Sequence, residues 1–208
     1  MMMILPWLSL SENSAISTGM LRYIKILFIA KLILISFANS QETIPNIRLK
    51  MLNGKYAKLY DYLKNGPMIL DFWATWCEPC KKQMKFLNTF HNHYKETGFK
   101  VLTINTDTPK SISKVKSYIR TKDFVFHVAV DPNSQVKNKL KIKLMPTTLI
   151  IDQDGTIVYR HQGYLPGDEL KVLEALNGLL DKKGIQYSEL NLDIEQTKGK
   201  KEGIKVDF

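Results

Sequence analysis

Two cysteines, Cys77 and Cys80, are the only ones in this chain of 208 residues, and they are spaced as C-x-x-C. An apolar run from Met68 to Trp73 precedes them, after an Asn-Gly-Pro sequence, and this pattern predicts a buried strand. After the cysteines, apolar residues recur at helical spacing: Met84, Leu87, Phe90 and Tyr94. The pair is therefore predicted to lie where a strand ends and a helix begins.

This position favours an ionised thiol. The first turn of a helix has unpaired backbone N–H groups and the positive end of the helix dipole, and both stabilise an anion. We expect Cys77 to be the exposed nucleophile and Cys80, one turn further along, to be the buried resolving thiol. Pro79 suits the first turn because the N–H that it lacks would have had no partner within the helix.

Other readings of the pair are a half zinc site, a structural disulfide or two inert thiols. A zinc site needs two further ligands, and His91 and His93, two positions apart on the predicted helix, do not share a face. We expect no metal and no organic cofactor. A C-x-x-C motif close to a β-α-β pattern favours a redox pair.

The segment from Trp73 to Lys82, Trp-Ala-Thr-Trp-Cys-Glu-Pro-Cys-Lys-Lys, resembles the active-site segment of thioredoxin-fold thiol–disulfide oxidoreductases. Its Cys-Glu-Pro-Cys sequence resembles the TlpA/ResA type, which are membrane-tethered or exported reductases associated with cytochrome c maturation. The resemblance covers residues 44–180. It implies a thioredoxin-like α/β fold with a central mixed sheet flanked by helices.

The order of predicted elements fits this family. Asn53-Gly54 predicts a two-residue turn in an N-terminal β-hairpin, a feature of the TlpA/ResA type. A helix capped by Thr108 or Ser111, followed by a strand, resembles the insertion that family members carry between Lys110 and Val130 of this chain. The last helix begins at Asp168 and Glu169, with a predicted buried stripe of Leu170, Leu173, Leu176 and Leu180.

The two ends of the chain differ from this central domain, residues 41–181. Residues 1–40 predict an export signal, with an apolar segment at residues 24–38 and small residues before Gln41 as a cleavage site. We interpret residues 1–19 as an extension upstream of a more natural start at Met20. An uncleaved membrane tether through residues 24–38 stays open, although Lys31 interrupts it. Residues 182–208 are polar and aperiodic and predict a flexible tail.

The formal net charge is +10. A basic balance can indicate nucleic acid or an anionic membrane surface as a partner. The lysines are scattered, however, without an arginine-rich stripe or a recognition motif, so we expect no nucleic-acid binding.

A second group of residues follows from the resemblance. In the thioredoxin fold the proline that matches Pro146 is cis and faces the cysteines, and its neighbour's backbone pairs with a substrate strand. This implies that Met145, Pro146 and Thr147 bind substrate. The residues around the first cysteine, Trp76, Glu78 and Pro79, complete the expected substrate-binding surface.

Asp71 is a carboxylate inside the predicted apolar strand, where a charge is costly unless it is paired. In thioredoxins the matching aspartate lies behind the resolving cysteine and takes its proton, so Asp71 is a candidate base, with a structural hydrogen-bonding role as the alternative. Two positions depart from the family. Thr103 stands where thioredoxins usually place a lysine, and Gln83 stands where the ResA type often has an acid.

Glu78 places a negative charge beside Cys77 and disfavours its thiolate, which predicts a reducing couple. The expected function is therefore an exported or cell-envelope enzyme that reduces protein disulfides, regenerated by a membrane-embedded thiol donor. A disulfide oxidase or isomerase on the same fold and a non-catalytic binding module are the alternatives.

Overall fold

The computed structural model describes residues 22–29 and 41–192. Residues 22–29 form a helix, α1, in a unit separate from the one that begins at Glu42. Within these two described stretches no helix has both the length and the apolar character needed to cross a membrane. Most of the expected export signal, and most of the expected tether at residues 24–38, lies outside the described residues. The same holds for the last 16 residues of the expected tail.

Seven strands of the described residues form one mixed sheet. Their bounds are β1 Arg48–Met51, β2 Tyr56–Lys58, β3 Met68–Trp73, β4 Lys100–Asn105, β5 His127–Val130, β6 Thr147–Ile151 and β7 Ile157–Gln162. The order across the sheet is β2-β1-β5-β4-β3-β6-β7. The three neighbours β3, β4 and β5 run parallel, and the outer pairs are antiparallel. This confirms the thioredoxin-like α/β fold.

Four α-helices within residues 41–192 complete the domain: α2 Glu78–Tyr94, α3 Ile112–Thr121, α4 Gln135–Lys139 and α5 Asp168–Lys182. The segment β3-α2-β4 is the predicted β-α-β unit. Gly98, with φ +83°, turns the chain from α2 into β4 where a Cβ would overlap the carbonyl of Asn65. The insertion α3-β5 adds β5 to the sheet between β1 and β4, as the family resemblance implied.

Side chains of the central strand alternate between two hydrophobic clusters, one on each face of the sheet. Met68, Leu70 and Phe72 belong to the cluster that also contains residues of β1 and α4. Ile69 and Trp73 belong to the other cluster, to which α2, α3 and α5 contribute and which we call the α2 cluster. Asp71 has the parity of Ile69 and Trp73, so the strand directs it under α2, the helix that carries the cysteines.

The hairpin is present, but its turn differs from the prediction. The Met51 N–H donates to the Lys55 carbonyl at 2.8 Å, so three residues, rather than two, connect the strands. Gly54 has φ +87° at the end of this loop. A type I turn followed by a left-handed residue is a common three-residue hairpin connection.

Two predictions about helix ends and faces are wrong. Neither Thr108 nor Ser111 makes a side-chain capping hydrogen bond, because a 3-10 turn at Pro109–Ser111 leads into α3. Leu170 is 38% exposed, whereas Val172 and Leu179 join the buried face of α5. The other three predicted residues, Leu173, Leu176 and Leu180, are buried as expected.

The segment after α5 is not a free tail throughout. Ile185, Tyr187, Leu190 and Leu192 pack against the α2 cluster. His93 on α2 forms a ring-nitrogen hydrogen bond of 2.7 Å with the Ser188 carbonyl oxygen. The expected boundary at residue 182 is therefore too early, because sparse apolar residues without helical period still find partners on the domain.

Candidate active site

Cys77 caps the helix that carries both cysteines. It is the residue before α2, and its Sγ accepts a hydrogen bond from the Cys80 backbone N–H at 3.3 Å. Pro79 lies in the first turn, where its missing N–H costs nothing. Cys77 and Cys80 form a disulfide with their Cα atoms 5.3 Å apart. In the reduced protein the same N–H and the helix dipole would stabilise a Cys77 thiolate.

The exposure of the two cysteines corrects the expectation that Cys77 is open to solvent. Cys80 is fully buried, as predicted, but Cys77 is only 5% exposed rather than open to solvent. Both belong to the α2 cluster, because the loop before α2 turns Cys77 back against the end of β3. The residues on either side of Cys77 in the chain are exposed: Trp76 by 66%, and also Glu78 and Pro79.

Glu78 does not act on Cys77 as an isolated charge. Lys81 Nζ donates to Glu78 Oε1 at 2.6 Å, and this hydrogen bond lowers the pKa of the Glu78 carboxyl. The Lys81 ammonium group therefore lies beside this carboxylate as an ion pair. Its position weakens the electrostatic cost that Glu78 imposes on a Cys77 thiolate.

The Met145–Pro146 peptide bond is cis, as expected. Thr147, the next residue, pairs with Phe72 at the end of β3, so this loop and the cysteine loop leave the sheet side by side. The Pro146 carbonyl accepts a hydrogen bond from the Gly163 N–H at 2.8 Å, and Met145 Sδ accepts one from the Thr106 hydroxyl at 3.2 Å. These bonds hold the loop from two directions.

Of the three expected substrate-binding residues in this loop, only Met145 keeps part of its side chain exposed. Pro146 and Thr147 are buried. The Thr147 hydroxyl donates to the Leu144 carbonyl at 2.6 Å, so the side chain supports the loop from beneath.

Asp71 is fully buried under α2. Its Oδ1 accepts hydrogen bonds from Gln83 Nε2 at 2.7 Å and from the Thr148 hydroxyl at 2.9 Å, while Oδ2 has no partner among the described residues. Burial raises the pKa of Asp71 to about 8, against the two hydrogen bonds, which lower it. A carboxyl group with this pKa can exchange a proton near neutral pH.

Gln83 is the residue whose role we did not predict. We noted it only as a departure from the family, yet it contacts the candidate base directly. Its spacing of three from Cys80 puts it on the same helix face, and its place among apolar residues at that face was a usable signal. Thr103, opposite Asp71 on β4, is buried, and its hydroxyl has no partner among the described residues.

A second buried carboxylate holds the loop that leads to Cys77. Asp107 Oδ2 accepts from the Thr75 N–H at 2.8 Å and from Asn105 Nδ2 at 2.8 Å, and its Oδ1 accepts from the Thr75 hydroxyl at 3.1 Å. Asp107 follows β4 and Thr75 follows β3, and adjacent parallel strands bring their ends together. We did not predict this clamp, because Thr75 and Asp107 are 32 positions apart in the sequence.

We expect Asp107→Ala to destabilise the oxidised protein by roughly 3 kcal/mol, because it removes three hydrogen bonds to a carboxylate and leaves buried Thr75 donors without an acceptor. Urea unfolding measures this. Glu96→Ala, at an exposed carboxylate after α2, is the control and should change stability by less than about 0.5 kcal/mol. Equal stabilities of the two variants would show that the clamp contributes nothing.

The two histidines of α2, His91 and His93, make structural hydrogen bonds to the backbone. His91 Nδ1 accepts the Val101 N–H at 3.1 Å, and burial lowers its pKa to about 4. Over residues 22–29 and 41–192, no group of three or more His, Cys, Asp or Glu side chains is placed to hold a metal ion.

Comparison with known proteins agrees with this geometry. The Redoxin family model matches residues 39–176. The thiol-disulfide oxidoreductase ResA of Bacillus cereus is 33% identical over 138 residues, which are 66% of this chain and 75% of the relative.

Two solved structures share the fold. The crystal structure of a DsbE-type thiol:disulfide interchange protein from Chlorobium tepidum has a TM-score of 0.62 and 29% identity, covering 67% of this chain and 96% of that one. The exposed lipoprotein thioredoxin of Streptococcus pneumoniae has a TM-score of 0.55 and 25% identity, covering 64% and 99%. With its cysteine pair at the mouth of α2, this chain belongs to the Redoxin family and is a thiol–disulfide oxidoreductase of the ResA type.

Proposed function

We propose that this enzyme reduces disulfide bonds of other proteins outside the cytoplasm. The observation that carries the proposal is the Cys77 sulfur at the N-terminus of α2, accepting the Cys80 N–H at 3.3 Å. A thiol in this position loses its proton more readily than the thiol of a free cysteine. The resulting thiolate is the attacking species in disulfide exchange.

The reaction would take two steps. The Cys77 thiolate attacks one sulfur of the substrate disulfide and forms a mixed disulfide, and the other substrate sulfur leaves as a thiolate. Cys80 then loses its proton and attacks Cys77 Sγ, closing the Cys77–Cys80 bond and releasing the second substrate thiol. Two electrons pass from the enzyme's thiols to the substrate. Asp71, buried beneath α2, would accept the Cys80 proton.

Substrate would approach where Cys77 retains its narrow exposure. The exposed Trp76 precedes Cys77 in the chain, and the partly exposed Met145 lies in the neighbouring loop, where Thr147 pairs with Phe72. A polypeptide could align along the Met145–Pro146 backbone while Met145 offers a flexible, polarizable contact.

The direction of electron flow rests on the residues between the cysteines. Glu-Pro places an acidic group beside Cys77, and the Lys81 ion pair offsets only part of its charge. We expect a potential nearer to thioredoxin's ~−270 mV than to DsbA's ~−120 mV. Equilibration of the Cys77–Cys80 couple with glutathione or dithiothreitol measures it. A potential near DsbA's would favour the alternative, a disulfide oxidase or isomerase.

The cellular setting is an inference from relatives and from the N-terminal sequence. The relative from Streptococcus pneumoniae is an exposed lipoprotein, and residues 1–40 have the pattern of an export signal. We propose a cell-envelope location, with residues 24–38 either cleaved off or kept as a tether. A membrane-embedded thiol donor would regenerate the reduced form. Cytochrome c precursors are the proposed substrates because the Cys-Glu-Pro-Cys segment resembles the TlpA/ResA type.

Cys80→Ser should trap the substrates. The variant keeps the Cys77 nucleophile but lacks the thiol that resolves the intermediate, so mixed disulfides accumulate and appear on non-reducing gels of cell-envelope extracts. The double variant Cys77→Ser/Cys80→Ser is the matched control and should trap none. If the single and double variants gave the same bands, Cys77 would not be the attacking residue.

A further inference from the structure

A row of polar side chains crosses the sheet directly beneath α2. Asp71 on β3 pairs in register with Thr103 on β4 and with Thr148 on β6, and all three are buried. Gln83 closes the row from the helix above. A buried polar group is costly without partners, so the contacts within this row decide how Asp71 behaves.

Gln83 Nε2 bonds to two members of the row. It donates to Asp71 Oδ1 at 2.7 Å and to the Thr148 hydroxyl at 2.6 Å. The Thr148 hydroxyl donates its own proton to the same Asp71 Oδ1 at 2.9 Å. Both hydrogens of the amide nitrogen are therefore used, and the hydroxyl is satisfied as donor and as acceptor.

The hydrogen bonds among Asp71, Gln83 and Thr148 give the two oxygens of the Asp71 carboxyl group different surroundings. Oδ1 accepts two hydrogen bonds, while Oδ2 is buried without a partner among the described residues. A proton arriving at the carboxyl group would therefore be carried on Oδ2. Gln83 and Cys80, three residues apart, lie on the same face of α2, so the amide and the resolving sulfur both face the strand that carries Asp71.

We propose that Gln83 is a positioning residue for proton transfer: it holds Asp71 by Oδ1 so that Oδ2 is left to take the proton of Cys80. As an amide it also keeps the row to one ionisable carboxyl group. The inference rests on the proposed function and extends it from the cysteine pair to the helix residue one turn beyond.

The step balances without any further reactant. In the mixed disulfide, the Cys80 S–H bond breaks and its proton forms an O–H bond at Asp71 Oδ2. The Cys80 thiolate attacks Cys77 Sγ, the bond from Cys77 to the substrate sulfur breaks, and its electron pair leaves with the substrate thiolate. The Asp71 proton passes to solvent before the next cycle.

Thr103 from β4, Thr148 from β6 and Gln83 from α2 pair with or bond to Asp71, and none of the three carries a charge. Cys80, on the same helix face as Gln83, packs in the cluster that contains Ile69 and Trp73 of β3 and is uncharged in this disulfide form. Burial is the main influence on the carboxyl group, and the two hydrogen bonds oppose it. Removing the Gln83 donor should therefore favour the protonated form, and a second carboxyl group at this position should do so more strongly.

The test is the pH dependence of the resolving step. Reduced enzyme is mixed with a disulfide-bonded peptide dimer, so that the Cys77 thiolate takes one peptide as a mixed disulfide and the other leaves as a thiol. The single-turnover resolution of this mixed disulfide is followed between about pH 5 and pH 10. We expect Gln83→Met to move the midpoint of the rate profile to higher pH by about one unit, because a hydrogen bond to the ionised carboxylate is lost. Met84→Leu, at a buried α2 position outside the row, should leave the midpoint in place.

Gln83→Glu keeps the side-chain volume and serves if the methionine variant does not fold. Its two adjacent carboxyl groups should share a proton and move the midpoint in the same direction. Unchanged midpoints in the Gln83 variants would overturn the inference, and so would an Asp71→Asn variant with a wild-type profile. A wild-type enzyme that forms no mixed disulfide at all would instead refute the proposed function, so the two failures are distinguishable.

Discussion

Replacing Cys77 by serine should abolish the reduction of insulin disulfides, lowering the rate by more than about three orders of magnitude. The serine hydroxyl does not ionise near neutral pH, so the hydrogen bond from the Cys80 N–H and the dipole of α2 would have no thiolate to stabilise. Turbidity of precipitating insulin B chain, with dithiothreitol as the electron source, measures the loss.

Cys80→Ser is the matched comparison, because it changes the same atom in the neighbouring cysteine. This variant should attack insulin once and then stall as a mixed disulfide, whereas Cys77→Ser should not react at all. A wild-type protein as inactive as Cys77→Ser would identify a binding module whose disulfide only braces the helix. Since Cys77 is 5% exposed in the disulfide form, its alkylation rate in the reduced protein is a further check. A rate no faster than that of free cysteine would contradict an activated thiolate.

The stability of the oxidised protein should fall as the pH rises from about 5 to about 8, relative to that of Asp71→Asn. The pKa of Asp71 is raised from an ordinary value of 3.8 to about 8 in the fold. Between these two values the native state holds a proton that the unfolded chain releases. Stability from this group is therefore complete below the unfolded pKa and is lost as the pH rises through the folded pKa.

The size of this effect follows from the slope of ~1.4 kcal/mol per pH unit for one proton, which gives a loss of ~4 kcal/mol between about pH 5 and about pH 8. Urea unfolding at several pH values measures it. His91 and His127 act in the opposite direction at the acid end, because burial lowers the pKa of both. Both proteins contain these histidines, so subtracting the Asp71→Asn curve removes their contribution. A flat difference curve would mean that Asp71 is already ionised in the fold at about pH 5.

Local sequence was enough to predict the centre of the fold. The apolar run before the cysteines is β3, and the helical spacing of Met84, Leu87, Phe90 and Tyr94 is the buried face of α2. These patterns are predictive because a strand buried on both faces gives a continuous apolar run, and an amphipathic helix gives apolar residues at a period of 3.6. The redox pair and the cis proline came from a short motif and from the family resemblance.

Surface and end features were predicted less well, since their signals are weak. One extra residue in the hairpin turn and the exposure of Leu170 in the first turn of α5 leave almost no trace in the sequence. The packing of Ile185 and Tyr187 on the domain was not predicted either. Isolated apolar residues in a polar stretch have no periodicity, and only a partner surface decides whether they are buried.

The sequence by itself determined which residues carry the chemistry: a C-x-x-C pair between a strand and a helix, and an aspartate inside an apolar strand. Only the tertiary structure decided how they are held. Gln83 meets Asp71 across 12 positions and Thr148 across 65, and Asp107 reaches Thr75 across 32. Such contacts have no local signature, because they depend on the register of neighbouring strands and on where a helix lies above them.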